Sequence, residues 1–316
     1  MIFLMNFNKA LLINIDQSAL DAEYWNQLDQ LASKRIHLPK DSEEIMKELA
    51  DTDCLLVSFG MLVTKEMIDA APHLKYIGIL ATAYGKVDIN YAKEKGILVC
   101  NLGGYSTEAV AEFSIAAVLE NIRQLEEGKR RGREGNYSEE GMQAKEIKGK
   151  VFGVIGLGNI GKRVAELASG FGADVRYWSR QKKEVSFIYQ DVDALIAEAD
   201  FLSINLAQTW ETEKFLSQQR FQSLKKGAVV ICTVPMELVD IDGLEKRLKQ
   251  NDIVFIMDHS DETSPEVMKR LISYKNCIIY PPIAFITVEA RKERKDRFIS
   301  NIRNFLNGSP TNIVNG

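Results

Sequence analysis

The stretch from Val151 to Arg180 constrains this chain more than any other. It opens with the short apolar run Val151-Phe152-Gly153-Val154-Ile155. Gly156-Leu157-Gly158-Asn159-Ile160-Gly161 follows, then a helically spaced Lys162–Ala168, then a second apolar run from Ala173 to Trp178. Strand, glycine turn, helix and strand in that order are the context a dinucleotide fingerprint requires. Gly156 permits the tight turn, Gly158 lets the backbone approach a pyrophosphate, and Gly161 lets the helix pack against the sheet. The helix start adds free N–H groups and a partial positive charge. Gly156, Leu157, Gly158, Asn159 and Ile160 are therefore the first candidate cofactor residues. A glycine turn with no ligand is the alternative, and it leaves the surrounding order of elements unexplained.

The end of the second run bears on which dinucleotide fits. A site for NAD usually carries an Asp or Glu about 20 residues after the glycines. Here Ser179 and Arg180 stand there, with Lys182 and Lys183 behind them. A carboxylate repels a 2′-phosphate, whereas a hydroxyl and a guanidinium can bond one. NADP(H) is preferred over NAD(H) on this contact, against the alternative that the basic residues only line a solvated turn.

At 316 residues the chain exceeds what one core usually holds, so two domains are expected. Its 46% apolar and 27% charged residues fit an ordinary α/β protein. A net charge of -4 argues against a nucleic-acid partner. The opening Met1-Ile2-Phe3-Leu4-Met5 is too short for a signal peptide, and no apolar run is long enough to span a bilayer, so no membrane partner is expected. Cys54, Cys100, Cys232 and Cys277 sit in apolar strand-like runs without a CxxC pair. They are expected to be buried free thiols in a reducing cytoplasm. His37, His73 and His259 are scattered, so no metal site is expected.

Upstream, Ala10–Ile15, Cys54–Val57, Leu74–Leu80 and Ile97–Asn101 look like strands, with helical stretches at Asp41–Leu49 and Asn90–Lys95. This alternation predicts a small parallel α/β domain. Val110, Phe113, Ala116, Ala117, Leu119 and Ile122 then recur at helical spacing from Ser106 to about Arg131, with Ser106 or Thr107 as the cap. Gly132 to Gly141 is expected to be a surface loop. Beyond Arg180 come Phe201–Asn205, Ala228–Cys232, Ile253–Met257 and Cys277–Tyr280, making six strands from Val151 onward. A helix from Thr287 to Leu306, ended by Asn307-Gly308, closes the pattern.

The order of parts resembles the D-isomer-specific 2-hydroxyacid dehydrogenases, and most closely their glyoxylate and hydroxypyruvate reductase branch. The resemblance runs over nearly the whole chain. It is carried by Leu80-Ala81-Thr82-Ala83-Tyr84-Gly85 before Val87-Asp88, by Gly96-Ile97-Leu98-Val99-Cys100-Asn101, by Tyr105-Ser106-Thr107, by the fingerprint, and by Thr287-Val288-Glu289-Ala290-Arg291. It implies two Rossmann-like, doubly wound α/β domains. A nucleotide-binding domain over 107–286 would be inserted into a smaller flavodoxin-like substrate domain made of 1–106 and 287–316. The active site would lie between them, usually in a cytoplasmic homodimer acting on a small molecule. The resemblance adds Asn205, Leu206, Thr233, Val234 and Asp258 to the cofactor residues and makes Ala81, Thr82, Ala83 and Tyr84 a substrate loop.

Three positions depart from that family. Its arginine for the substrate carboxylate falls on Pro235, its histidine for the hydroxyl proton on Pro282, and the glutamate that orients the histidine on Thr263, with Glu262 one place early. Proline has no side-chain donor and no titratable group, so it neither clamps a carboxylate nor shuttles a proton. The catalytic set is thus unassigned, with Tyr280, Tyr84, His259 and Glu262 as candidate proton donors. Two functions remain open. One is an NADP(H)-dependent oxidoreductase acting on a non-standard carbonyl or hydroxy substrate. The other is a catalytically inactive NADP(H)-binding pseudoenzyme with a regulatory or scaffolding role.

Overall fold

A computed structural model of the chain describes residues 6–316. The apolar opening Met1–Met5, read above as too short for a signal peptide, lies outside the described residues. Two compact units form. One runs to Tyr105 and resumes over Thr287–Gly316, and the other spans Ser106–Ile286.

The first unit alternates β1 (Ala10–Ile13), α1 (Ala22–Asp29), β2 (Arg35–Leu38), α2 (Ile45–Leu49), β3 (Cys54–Val57), α3 (Lys65–Asp69), β4 (Tyr76–Ile79), α4 (Ile89–Glu94) and β5 (Leu98–Cys100). Its strands are all parallel in the order β2-β1-β3-β4-β5, the flavodoxin-like arrangement. Residues of β1, β3 and β4 are buried end to end, and successive side chains face opposite ways, so each strand feeds two cores. Ala10, Leu12, Cys54, Leu56 and Tyr76 pack with Tyr24, Trp25 and Leu28 of α1. Leu11, Ile13, Leu55, Val57, Ile77 and Ile79 pack with Ile45 and Leu49 of α2.

Two details differ from the sequence reading. The helix expected over Asp41–Leu49 starts only at Ile45, because Ser42 and Ile45 donate to the carbonyls of Pro39 and Ser42 in a turn instead. Strand β2 was not expected. Arg-Ile-His-Leu is a half-buried edge that pairs with β1 through Leu11 and Ile36, and its polar residues mask the apolar pattern.

The second unit contains α5 (Thr107–Ile122), α6 (Leu125–Arg133), β6 (Val151–Ile155), α7 (Asn159–Gly170), β7 (Asp174–Trp178), β8 (Ile188–Tyr189), α8 (Val192–Glu198), β9 (Phe201–Ile204), α9 (Gln218–Ser223), β10 (Val229–Cys232), α10 (Ile241–Leu248), β11 (Val254–Met257), α11 (Pro265–Leu271) and β12 (Cys277–Ile279). The sheet is parallel in the order β12-β11-β10-β9-β6-β7-β8. This is the doubly wound nucleotide-binding order, which reverses between β6 and β9 and so opens a crevice at their carboxyl ends. Seven strands replace the six expected. The addition is β8, two exposed residues paired with Arg176 and Tyr177 of β7.

The long helix expected from Ser106 to Arg131 is two helices. Gln124 adopts a left-handed backbone, φ 52°, and the returning chain takes over the broken turn. Lys145 N–H donates to Ile122 O at 2.8 Å, and Gln143 N–H donates to Gln124 Oε1 at 2.8 Å. Because α6 continues to Arg133, the expected loop begins later than Gly132. Ser106 holds the cap position without a side-chain cap bond.

Returning to the first unit, α12 (Val288–Leu306) starts at Thr287, whose hydroxyl accepts the Ala290 N–H at 2.9 Å. Its Phe298, Ile299 and Ile302 complete the core beneath β1, β3 and β4. The chain end lies along β5, with Val314 N–H donating to Val99 O at 2.9 Å. There the buried Asn315 accepts from Val99 N–H at 2.9 Å and donates to Ile97 O at 2.8 Å. Cys54, Cys100, Cys232 and Cys277 are free and buried. Among the described residues no helix is long and apolar enough to cross a membrane.

Candidate cofactor and active site

The glycine loop between β6 and α7 is built by exclusion of side chains. Gly156 has φ +90°, and a Cβ on it would stand 2.5 Å from the carbonyl oxygen of Asn205, on the neighbouring strand end. A Cβ on Gly161 would stand 1.9 Å from Gly156 O, so the first turn of α7 touches the loop directly. Around Gly158, by contrast, a Cβ would meet nothing within 4 Å. Gly158 is the N-cap of the twelve-residue α7, so the open side of the loop coincides with the free amides and positive end of a full helix. Leu157 is buried, whereas Asn159 is exposed.

Two buried oxygens at the same sheet edge lack hydrogen-bond partners among the described residues. Asn205 follows β9; its Nδ2 donates to Ser203 Oγ at 3.0 Å, and its Oδ1 is orphaned. Asp258 follows β11; its Oδ2 accepts the Ala284 N–H at 3.1 Å, and its Oδ1 is orphaned. Burial raises the Asp258 carboxyl above the ordinary range, with His259 and the Ala284 amide opposing that shift. A buried acceptor without a donor costs about 1–3 kcal/mol, so two at one edge fit a ligand that brings N–H or O–H groups. Leu206 packs on the core nearby.

At the end of β7 the buried Ser179 hydroxyl donates to Gln181 O at 2.6 Å. Arg180 is exposed and pairs with Glu211 at 2.9 Å. Sequence reasoning gave no sign of Glu211, which lies thirty-one positions away and meets Arg180 only through the fold.

Pro235, Pro282 and Thr263 occupy turns. Pro235 caps the short helical turn Met236–Leu238 after β10. Pro282 follows β12, where Ile283 N–H donates to Pro281 O at 2.7 Å. Thr263 closes the turn after β11, its hydroxyl donating to His259 O at 2.7 Å.

Of the four proton-donor candidates, the structure brings two together. His259 Nδ1 lies 3.3 Å from Glu262 Oε2, and its Nε2 lies 3.2 Å from Thr233 O and 4.0 Å from Asp258 Oδ1. Burial disfavours the charged imidazole, but Glu262, Asp258 and the Thr233 carbonyl outweigh it and hold its pKa above the ordinary value. Tyr280 instead donates its hydroxyl to Glu120 of α5 and sets its ring edge-on to Phe113, at 5.3 Å between centroids. Burial and the Glu120 carboxylate both raise its pKa. Tyr84 belongs to the other unit, where Thr82, Ala83 and Tyr84 are exposed and Ala81 is buried. That loop is braced by Asn101 Nδ2 donating to Thr82 O at 2.6 Å and Leu102 N–H donating to Ala81 O at 2.9 Å. Among the described residues no group of three or more His, Cys, Asp or Glu side chains is placed to hold a metal ion.

Comparison with known proteins adds a family. Residues 115–284 match the model of the D-isomer specific 2-hydroxyacid dehydrogenase, NAD binding domain. The glyoxylate reductase of Thermococcus litoralis is 31% identical over 284 residues, covering 86% of each chain. Among solved structures, an acyclic imino acid reductase in complex with NADPH and D-Arg is 28% identical with a TM-score of 0.85, covering 96% of this chain and 99% of that one. The D-lactate dehydrogenase from Aquifex aeolicus complexed with NAD and lactic acid is 26% identical with a TM-score of 0.84, covering 97% and 99%.

Proposed function

The chain belongs to the D-isomer-specific 2-hydroxyacid dehydrogenase family, and from that premise we propose that it is an NADP(H)-linked oxidoreductase whose substrate is not an ordinary 2-hydroxyacid. The observation that carries this reading is one sheet edge. The glycine cradle and the orphaned oxygens of Asn205 and Asp258 stand ready there, while prolines occupy the arginine and histidine positions. Ser106–Ile286 serves as the dinucleotide-binding domain, and the remainder as the substrate domain with the loop Ala81–Tyr84. The protein works as a cytoplasmic homodimer on a small molecule.

The residues present fit the cofactor. Amides at the start of α7 would receive the pyrophosphate, Arg180 the phosphorylated ribose together with Ser179 once its hydroxyl turns from Gln181 O, and the Asp258 carboxylate the nicotinamide carboxamide, with Asn205, Thr233 and Val234 beside it. When bound, the reduced nicotinamide supplies a hydride to a carbonyl carbon. Arg180 reaches a 2′-phosphate by leaving Glu211, an exposed pair of the kind worth about 0–1 kcal/mol. Without the arginine clamp no bidentate site holds a carboxylate at Pro235, so a neutral carbonyl or imine suits the edge better than a 2-oxoacid. The imino acid reductase shows that a protein of this architecture is found with NADPH.

The two prolines also favour a second reading, a catalytically inactive NADP(H)-binding protein with a regulatory or scaffolding role. Incubating the purified chain with NADPH and a panel of neutral ketones, aldehydes, imines and 2-oxoacids separates them. Oxidation of NADPH by any neutral carbonyl or imine supports the enzyme. Tight NADPH binding without turnover supports the second reading, and efficient reduction of hydroxypyruvate refutes the altered specificity.

A further inference from the structure

The family's proton-exchanging histidine is replaced by Pro282, so the reduction proposed above needs another proton source. Several groups of Ser106–Ile286 are already committed. Its cysteines Cys232 and Cys277 are buried, with thiols pushed up to about 12 by that burial. The Tyr280 hydroxyl is committed to Glu120. Asp258 is the proposed carboxamide anchor. His37 and His73 belong to the other unit, which leaves His259 as the one histidine of this unit.

We propose that His259, oriented by Glu262, gives the proton to the substrate oxygen during reduction and takes it back during oxidation. The assignment rests on the enzyme reading and on three features of place. Nε2 sits 3.2 Å from Thr233 O and 4.0 Å from Asp258 Oδ1, the two strand ends assigned to the nicotinamide end of the cofactor. Nδ1 faces the Glu262 carboxylate at 3.3 Å, which holds the ring. Thr263, at the family's glutamate position, pins the turn through His259 O at 2.7 Å. The relay chemistry of an imidazole backed by a carboxylate is thus rebuilt within a single loop, three positions apart.

Donor and acceptor roles follow from the partners. A carbonyl only accepts, so Nε2 carries a hydrogen toward Thr233 O; an ionised carboxylate only accepts, so Nδ1 carries one toward Glu262. Both ring nitrogens thus face acceptors, an arrangement that favours the imidazolium. On turnover Nε2 turns from Thr233 O to the substrate oxygen. Bound NADPH would supply the hydride to the carbonyl carbon, Nε2 would give its proton to the oxygen, and the alcohol, NADP+ and a neutral imidazole would result. That imidazole keeps Nδ1–H on Glu262 and regains a proton at Nε2 from solvent. The charged groups around the ring are Asp258 at the end of β11, Glu262 on its own loop and Asp261 beside Asp258, with the Thr233 carbonyl from β10.

The test uses the full chain with H259Q and E262Q, NADPH affinity by fluorescence titration, kcat and KM on the neutral substrate found by the panel, and NMR signals of the imidazole rings against pH. H259Q is expected to bind NADPH within about twofold of wild type while kcat for reduction falls about 10²–10⁴-fold and its decline at alkaline pH disappears. E262Q is expected to keep that decline but move it to lower pH, since the carboxylate raises the imidazole pKa. Saturating NADPH is expected to shift the His259 ring signal in the wild type, a readout independent of turnover, and leave His37 and His73 unmoved. Wild-type kcat and pH profile in H259Q, or a His259 signal indifferent to NADPH, overturns the assignment alone. A wild type that binds NADPH and turns over nothing overturns the enzyme reading together with it.

Discussion

Replacing Gly161 by alanine tests the dinucleotide cradle most directly. A Cβ there would lie 1.9 Å from Gly156 O, and the next atoms, Gly156 C and Val154 Cγ1, stand at 3.1 and 3.2 Å. The carbonyl must therefore retreat by roughly 1 Å before a methyl fits, and a displacement of that size at a positioning element costs on the order of 10²-fold. NADPH affinity should fall by about that factor, or about 2.7 kcal/mol. Overpacking of this kind also destabilises by about 1–3 kcal/mol, so the melting temperature should drop by several degrees. Gly158→Ala is the matched control. A Cβ there meets nothing within 4 Å and φ is an ordinary −80°, so the fold should not notice it. Its methyl would still stand where phosphates approach, so affinity should fall without a change in melting. Fluorescence titration with NADPH and calorimetric melting of both variants measure the two effects. A Gly161→Ala protein that melts and binds like wild type would refute the reasoning, because it would mean that helix and loop are not in forced contact.

Other consequences are checked as simply. Glu211→Gln frees Arg180 from its 2.9 Å pair and should tighten NADPH several-fold while leaving NADH unchanged; an unchanged ratio of dissociation constants removes Arg180 as a phosphate ligand. Asn315→Ala orphans Val99 N–H and Ile97 O inside the first unit and should cost about 2–3 kcal/mol, read as a lower denaturant midpoint with an unaltered slope. The thiols of Cys232 and Cys277, pushed up to about 12 by burial, should resist a thiol reagent at pH 8 until the chain is unfolded; rapid labelling of the native protein would contradict their placement.

Much of the fold was legible because its strands are buried on both faces. Cys54–Val57 and Val151–Ile155 are continuous apolar runs, and a covered parallel sheet demands them. Edge strands carry no such demand. β2 and β8 are half-buried or exposed, and they were missed for that reason. The break at Gln124 was hidden too. Apolar spacing continues to Ile122 and charge continues through Arg133, while the bonds that end the first helix come from Gln143 and Lys145 after a long loop.

The chain's own order of residues determined the glycine turn, the alternation of strand and helix, and the prolines at positions 235 and 282. Those are local properties, set by which backbone angles, side-chain volumes and donors each residue possesses. Only the tertiary structure decided that Arg180 meets Glu211, that Asn205 and Asp258 share one edge with an orphaned oxygen each, and that His259 reaches Thr233 while Glu262 holds its other nitrogen. These are pairings across strands and loops. They follow from which strand ends the parallel sheet brings together, and no spacing within a single segment encodes them.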